Sequence, residues 1–148
     1  MDFRIAIDIA APAEIVWSVI ADGERWHEWT PSVTSIKLLG EGPLRVGMRA
    51  IVRQPKFPPA LWTVIELEPG RRFTWRSGAP LMWVYAFHSA TPIDGGTRAE
   101  LGLHFEGVLG RLLGRMTSSI NNRYLGMEAN GLKRRSEELA RQATKRAP

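Results

Sequence analysis

Over residues 3–9, Phe3, Ile5, Ile7 and Ile9 fall on one side and Arg4 and Asp8 on the other. This period of two predicts a half-buried strand. Ala11-Pro12-Ala13-Glu14 then opens a helix, since proline in a first turn forfeits no hydrogen bond and Glu14 lies near the positive end of the helix dipole. Ile15, Val16, Val19 and Ile20 carry this helix to about Asp22-Gly23, with Trp17 beside the stripe. In Glu24 to Pro31, Trp26 and Trp29 share one face of a short second helix that Pro31 ends. From 32 to 106, alternating runs at Val33–Leu39, Gly47–Arg53, Leu61–Leu67, Phe73–Ser77, Met82–Ala90 and Thr97–Phe105 predict six strands. The turns between them carry Gly, Pro or Asp and are short enough to make consecutive strands antiparallel neighbours. After Gly107 the period becomes 3.6. Leu109, Leu113, Met116, Ile120, Tyr124, Met127 and Gly131 step by three or four, predicting one long terminal helix over about 112–140, weakened by Gly110, Gly114 and Gly126. Residues from about 143 to 148 are expected to fray. With no repeat or dividing linker, residues 1–148 are expected to form one domain.

Composition narrows the class. A chain of 148 residues with 44% hydrophobic content fits one soluble core. The absence of cysteine removes disulfides, thiol nucleophiles and thiolate metal sites, and points to a reducing, cytoplasmic setting. The first residues lack a signal-peptide pattern and no run of about 18 apolar residues occurs, so neither export by that route nor membrane insertion is expected. The net charge of +5 is uneven, with +6 in residues 107–148 and −1 in residues 1–106. In the basic segment Leu132, Leu139 and Glu137-Glu138 interrupt the charges, which reads as a solvated helix face and not as a nucleic-acid site. His27, His88 and His104 lie far apart, and neither a phosphate-binding glycine loop nor a Gly-x-Ser-x-Gly elbow is present, so no metal and no cofactor is expected.

The details also carry a likeness. Ala11-Pro12, Val16-Trp17, Asp22, the Trp26 and Trp29 pair before Pro31, Val46-Gly47 leading into a strand, the Glu66-to-Arg71 turn and Gly95-Gly96-Thr97 occur in an order that resembles the START-like (SRPBCC) superfamily. The likeness is greatest to bacterial polyketide cyclase/dehydrase and lipid-transport-like proteins. It implies an α+β helix-grip fold: a seven-stranded curved antiparallel sheet wrapped around a long C-terminal helix, with two short helices after the first strand. It also implies an apolar cavity between sheet and helix, a setting suited to hydrophobic small molecules.

Within that frame the candidate ligand-binding residues are Trp26, Trp29, Arg49, Trp62, Trp75, His88, Met116, Ile120, Tyr124 and Met127. Trp26 and Trp29 divide between a lid over the cavity and plain packing, while Phe73, Trp75 and Ser77 share a strand face. If Ile93-Asp94-Gly95-Gly96 is a hairpin loop that sets Pro92 opposite Thr97, His88 opposes Leu101 and faces inward. A one-residue slip turns Trp83, Tyr85 and Phe87 inward instead. Arg49 is the preferred anchor for a polar head group; Met116, Ile120, Tyr124 and Met127 are expected to cover the cavity.

Three functions fit. The first is binding or transport of a hydrophobic small molecule such as a lipid, polyketide or quinone, without covalent chemistry. The second is a polyketide-type aromatase/cyclase or dehydratase, for which His88, Tyr124 and Arg49 are the available groups. The third is a protein-interaction or homodimerisation module presenting Trp83, Tyr85 and Phe87.

Overall fold

The computed structural model describes residues 1–146. Seven strands form one antiparallel sheet: β1 (Asp2–Ile9), β2 (Ser35–Leu38), β3 (Arg49–Arg53), β4 (Ala60–Glu68), β5 (Arg72–Ala79), β6 (Met82–Ile93) and β7 (Gly96–Glu106). Their order is β1-β7-β6-β5-β4-β3-β2, so only β1 joins away from its sequence neighbour and completes the sheet against β7. Helix α1 (Ala13–Ala21) and a 3-10 turn (Gly23–Glu28) follow β1, and α2 (Val108–Met116) and α3 (Ser118–Arg146) end the chain. This is the α+β helix-grip architecture expected from the sequence.

The Asp94-Gly95 turn fixes the register that matters most. Pro92 lies opposite Thr97 and His88 opposite Leu101, so Val84, Ala86 and His88 point to the helix side of the sheet. Trp83, Tyr85 and Phe87 take the outer face. Each is half-buried there: Arg76 lies 4.1 Å over the Trp83 ring, Arg4 lies 4.9 Å over Phe87, and His104 packs beside Tyr85. Guanidinium groups thus lie over two of the three aromatic rings on this face, Trp83 and Phe87.

The terminal helix is not continuous. It breaks at Thr117, where φ is −102° and ψ is 12°. Thr117 N–H and Oγ1–H both donate to the Leu113 carbonyl, at 2.9 and 2.7 Å, and Asn121 N–H donates back to Thr117 O at 2.8 Å. The hydrogen bonds therefore cross a kink and the chain turns without losing them. α3 then continues through Arg146, past the expected onset of fraying at about 143; residues 147–148 lie outside the described residues.

α3 is clamped to the first strand by Lys133, which reaches Asp8 O and Glu137, while Glu137 accepts from Ala10 N–H at 2.9 Å. It also lies against the Trp29 backbone, at Gly131, where a Cβ would stand 2.0 Å from Trp29 O. A core of Val16, Ile20, Phe73, Ala129 and Leu132 fills this end of the molecule. The opposite end stays hollow. No helix among the described residues is long and apolar enough to cross a membrane.

Candidate functional site

Between sheet and α3 the fold leaves a cavity of about 400 Å³. Its floor is aromatic because strand alternation delivers Trp62 from β4, Trp75 from β5 and His88 from β6 to one face. Trp26 joins them from the 3-10 turn, its indole N–H held by Ile20 O at 3.0 Å. Ring centroids of Trp26 and Trp75, and of Trp62 and Trp75, lie 5.7 Å apart, and Trp26 stands 5.1 Å from His88. Space remains because small residues, Ala60 and Ala86, occupy other floor positions and the loop holding Phe57 and Pro58 stands off at the rim.

The roof is different in chemistry. Thr117, Asn121, Tyr124 and Glu128 succeed one another at intervals of four, three and four, placing one polar stripe of the helix over the cavity. Asn121 Nδ2 donates to Thr117 Oγ1 at 2.9 Å, and the Tyr124 hydroxyl donates to Pro55 O, tying the helix to the rim loop. The site is thus an aromatic box closed by a hydrogen-bonding lid.

Two ionisable groups in it are displaced from their ordinary behaviour. Burial drives the His88 imidazole down to about 3, offset only in part by the Phe73 backbone, so it is neutral at physiological pH. Burial pushes the Glu128 carboxyl up to about 7. Glu128 has no ion-pair partner among the described residues, and no Lys or Arg lines the cavity. Two buried polar atoms here lack any hydrogen-bond partner, Trp62 Nε1 and His88 Nδ1. Both are of the kind that a bound molecule would satisfy. Among the described residues His, Asp and Glu side chains nowhere gather in threes close enough to hold a metal.

Of the residues singled out from sequence, the structure brings together Trp26, Trp62, Trp75, His88 and Tyr124. The other five lie elsewhere, each for an identifiable reason. Trp29 is buried beneath α3 at the Gly131 contact and packs on Trp26, as part of the core and not of a lid. Arg49 is exposed opposite Thr63, because Ala50 and Val52 take the inner face of β3. Met116 is 76% exposed, and Ile120 and Met127 are half-buried beside the cavity lining. Leu113, Thr117, Asn121 and Tyr124 face inward at steps of four, four and three, a helix face that keeps Leu113 and Tyr124 of the expected stripe and leaves out Met116, Ile120 and Met127. Thr117, Asn121 and Glu128 were hidden from the apolar pattern by their polarity. Their spacing of four and seven residues from one another was the available signal.

The geometry defines a helix-grip protein with an internal apolar cavity. In sequence, residues 1–137 match the family described as polyketide cyclase / dehydrase and lipid transport, and the chain belongs to it. Solved structures with this fold include the Zhui aromatase/cyclase from Streptomyces sp. R1128, with a TM-score of 0.76 and 21% identity over 97% of both chains. A protein from Thermus thermophilus matches with a TM-score of 0.74 and 19% identity, over 95% of this chain and 99% of that one. A protein from Thermobifida fusca gives 0.73 and 21%, over 93% and 94%. At these identities the likeness speaks for the fold. No protein of curated function matches this chain in sequence.

Proposed function

We propose that this protein binds a hydrophobic small molecule, of lipid, polyketide or quinone type, inside the cavity and carries or senses it without covalent chemistry. The carrying observation is the pairing of an aromatic floor with Trp62 Nε1 and His88 Nδ1, buried polar atoms with no partner in the protein. About 400 Å³ lies within the range of small-molecule sites. Burying a carbon skeleton there contributes about 25 cal/mol per Å² of apolar surface before the costs of association, enough for micromolar affinity. A cytoplasmic setting fits the cysteine-free composition. The test is native mass spectrometry of protein purified from its own host. A retained apolar molecule of stoichiometric amount is expected; a clean apo mass, together with no heat of binding across a panel of quinones, flavonoids and sterols, overturns the reading.

A second reading, a polyketide-type cyclase or dehydratase, draws on one specific feature. His88 and Glu128 line the same cavity, and a carboxyl held near 7 can both donate and accept a proton at working pH. Arg49 lies outside the cavity and has no part in it. Under this reading Glu128→Gln abolishes conversion of a poly-β-ketone substrate while the substrate still binds.

A further inference from the structure

The cavity is as notable for the charges it excludes as for the surface it offers. Among the described residues, the titratable groups sharing it with Glu128 are His88 from β6 and Tyr124 from α3. The lining positions of β3, β4, β5, β7 and α2 are all uncharged, as are those of the rim loop. His88 is 6% exposed, stacked flat on Phe73, and its Nδ1 has no partner. Trp62 Nε1 can only donate, so what it lacks is an acceptor such as a ligand oxygen.

Resting on the small-molecule reading above, we infer that the cavity selects its ligand by charge: it takes uncharged ring compounds bearing hydroxyl or carbonyl oxygen, and rejects carboxylates. A carboxylate that enters must shed its water, and no guanidinium or ammonium stands inside to replace it. It must also share a small desolvated space with Glu128, and two carboxyls so placed cannot both be ionised cheaply. The burial that drives Glu128 toward its neutral form, up to about 7, is the same penalty acting on the protein's own carboxyl. A neutral oxygen meets neither obstacle and supplies the acceptor that the Trp62 indole lacks. Hydrogen bonding then orients the molecule, oxygen toward the Trp62 indole N–H and carbon skeleton against the indoles.

The experiment uses two probes with one skeleton, 2-naphthalenemethanol and 2-naphthoate, titrated calorimetrically into the full chain at about pH 8, where Glu128 is ionised. The alcohol is expected to bind at least about tenfold more tightly than the acid anion. Glu128→Gln is expected to narrow that ratio by about threefold or more, and so is lowering the wild-type protein to about pH 6, where Glu128 is protonated. The pH arm needs no variant and stands if Glu128→Gln fails to fold. Equal affinity for the two probes overturns the charge selection and leaves the small-molecule reading standing. A ratio that moves with neither the substitution nor pH overturns the role given to Glu128. Failure of the wild-type protein to bind either probe overturns the selection, since the cavity then does not take an uncharged ring compound bearing a hydroxyl; the binding reading beneath it falls only with the clean apo mass and the empty ligand panel.

Discussion

The imidazole of His88 lies flat against the phenyl ring of Phe73, with centroids 4.4 Å apart and planes inclined by only 14°. The two residues are cross-strand partners on β5 and β6, so the backbone ladder itself enforces the stack. A neutral imidazole suits this position; an imidazolium would have to sit in the core without a counter-ion.

That placement has a pH signature. Above 6.5, the ordinary value for His88, both folded and unfolded states are neutral there and pH has no effect through this group. As pH falls from 6.5 toward about 3, the unfolded chain takes up a proton that the folded chain refuses. The His88 contribution to stability should therefore drop by about 1.4 kcal/mol per pH unit across that window. His88→Phe keeps the stack and lacks the proton. Denaturant titrations at several pH values should show its acid limb shallower than wild type by about that slope; identical limbs would refute the assignment.

Glu128 carries the opposite sign. Its folded value of about 7 exceeds the ordinary 4.5, so between those limits the folded state holds a proton that the unfolded state has released. This contribution is complete below 4.5 and is lost as pH rises to about 7. Glu128→Gln should then stabilise the protein at about pH 8, by about 1–2 kcal/mol after discounting for partial solvation, and change little at about pH 4. Between 4.5 and 6.5 the His88 and Glu128 slopes oppose each other, so the wild-type curve is flat there and only single variants expose them. Equal destabilisation by Glu128→Gln at both pH values would contradict this account.

What could be read from the sequence and what could not divide along a physical line. Alternation in β6 left His88 only two faces to choose between, and the sequence kept both open; the Asp94-Gly95 turn, which sets Pro92 opposite Thr97, puts His88 on the face of Trp75. A helix offers a continuous range of rotations, and the face over the cavity keeps Leu113 and Tyr124 of the apolar stripe but takes Thr117 and Asn121 in place of Met116 and Ile120. The assumption that apolar residues face the interior then failed on α3, because a cavity roof meets a space and not a packed core. Thr117, Asn121 and Glu128 are tolerated there, while Met116 is left to solvent. Trp29 was ambiguous for another reason: the glycine that makes room for its backbone, Gly131, lies about a hundred residues away in sequence.

Gly131 should resist the substitution that helices usually welcome. Gly→Ala in a helix interior ordinarily gains about 1 kcal/mol. Here the new methyl would stand 2.0 Å from Trp29 O and 3.1 Å from the indole ring, against backbone that cannot swing aside. Gly131→Ala is expected to cost about 3 kcal/mol by overpacking, whereas Gly126→Ala, with nothing within 4 Å, should stabilise. Thermal melts of the two variants shifting in the same direction would count against the close approach.

Tyr124 holds the rim and is not free to serve a ligand as donor, since its hydroxyl donates to Pro55 O. Tyr124→Phe should therefore cost about 1 kcal/mol in stability. It should also speed exchange of the Phe57 amide, which closes the neighbouring turn on Gln54 O. Ligand affinity should change less than that exchange rate. A large affinity loss with unchanged Phe57 protection would mean that the hydroxyl turns inward to the ligand.

The location of the ligand can be tested by filling the space from its floor. Ala86 sits at the centre of β6, between Trp75 on β5 and Leu103 on β7, and its methyl faces the cavity. A phenyl ring there is directed into the cavity, so Ala86→Phe should fold with a stability loss under about 1.5 kcal/mol. It should nevertheless lower affinity by about tenfold or more for any ligand occupying the aromatic box, because the ring takes the space beside Trp75 in which that ligand stacks. Ile120→Trp is the counterpart. Ile120 lies outside the lining, so a larger side chain there should leave affinity within about twofold. Calorimetric titration of both variants with one ligand that wild type binds separates the two positions. Loss of binding by Ile120→Trp together with normal binding by Ala86→Phe would place the ligand on the outer side of α3 and refute the cavity as its site.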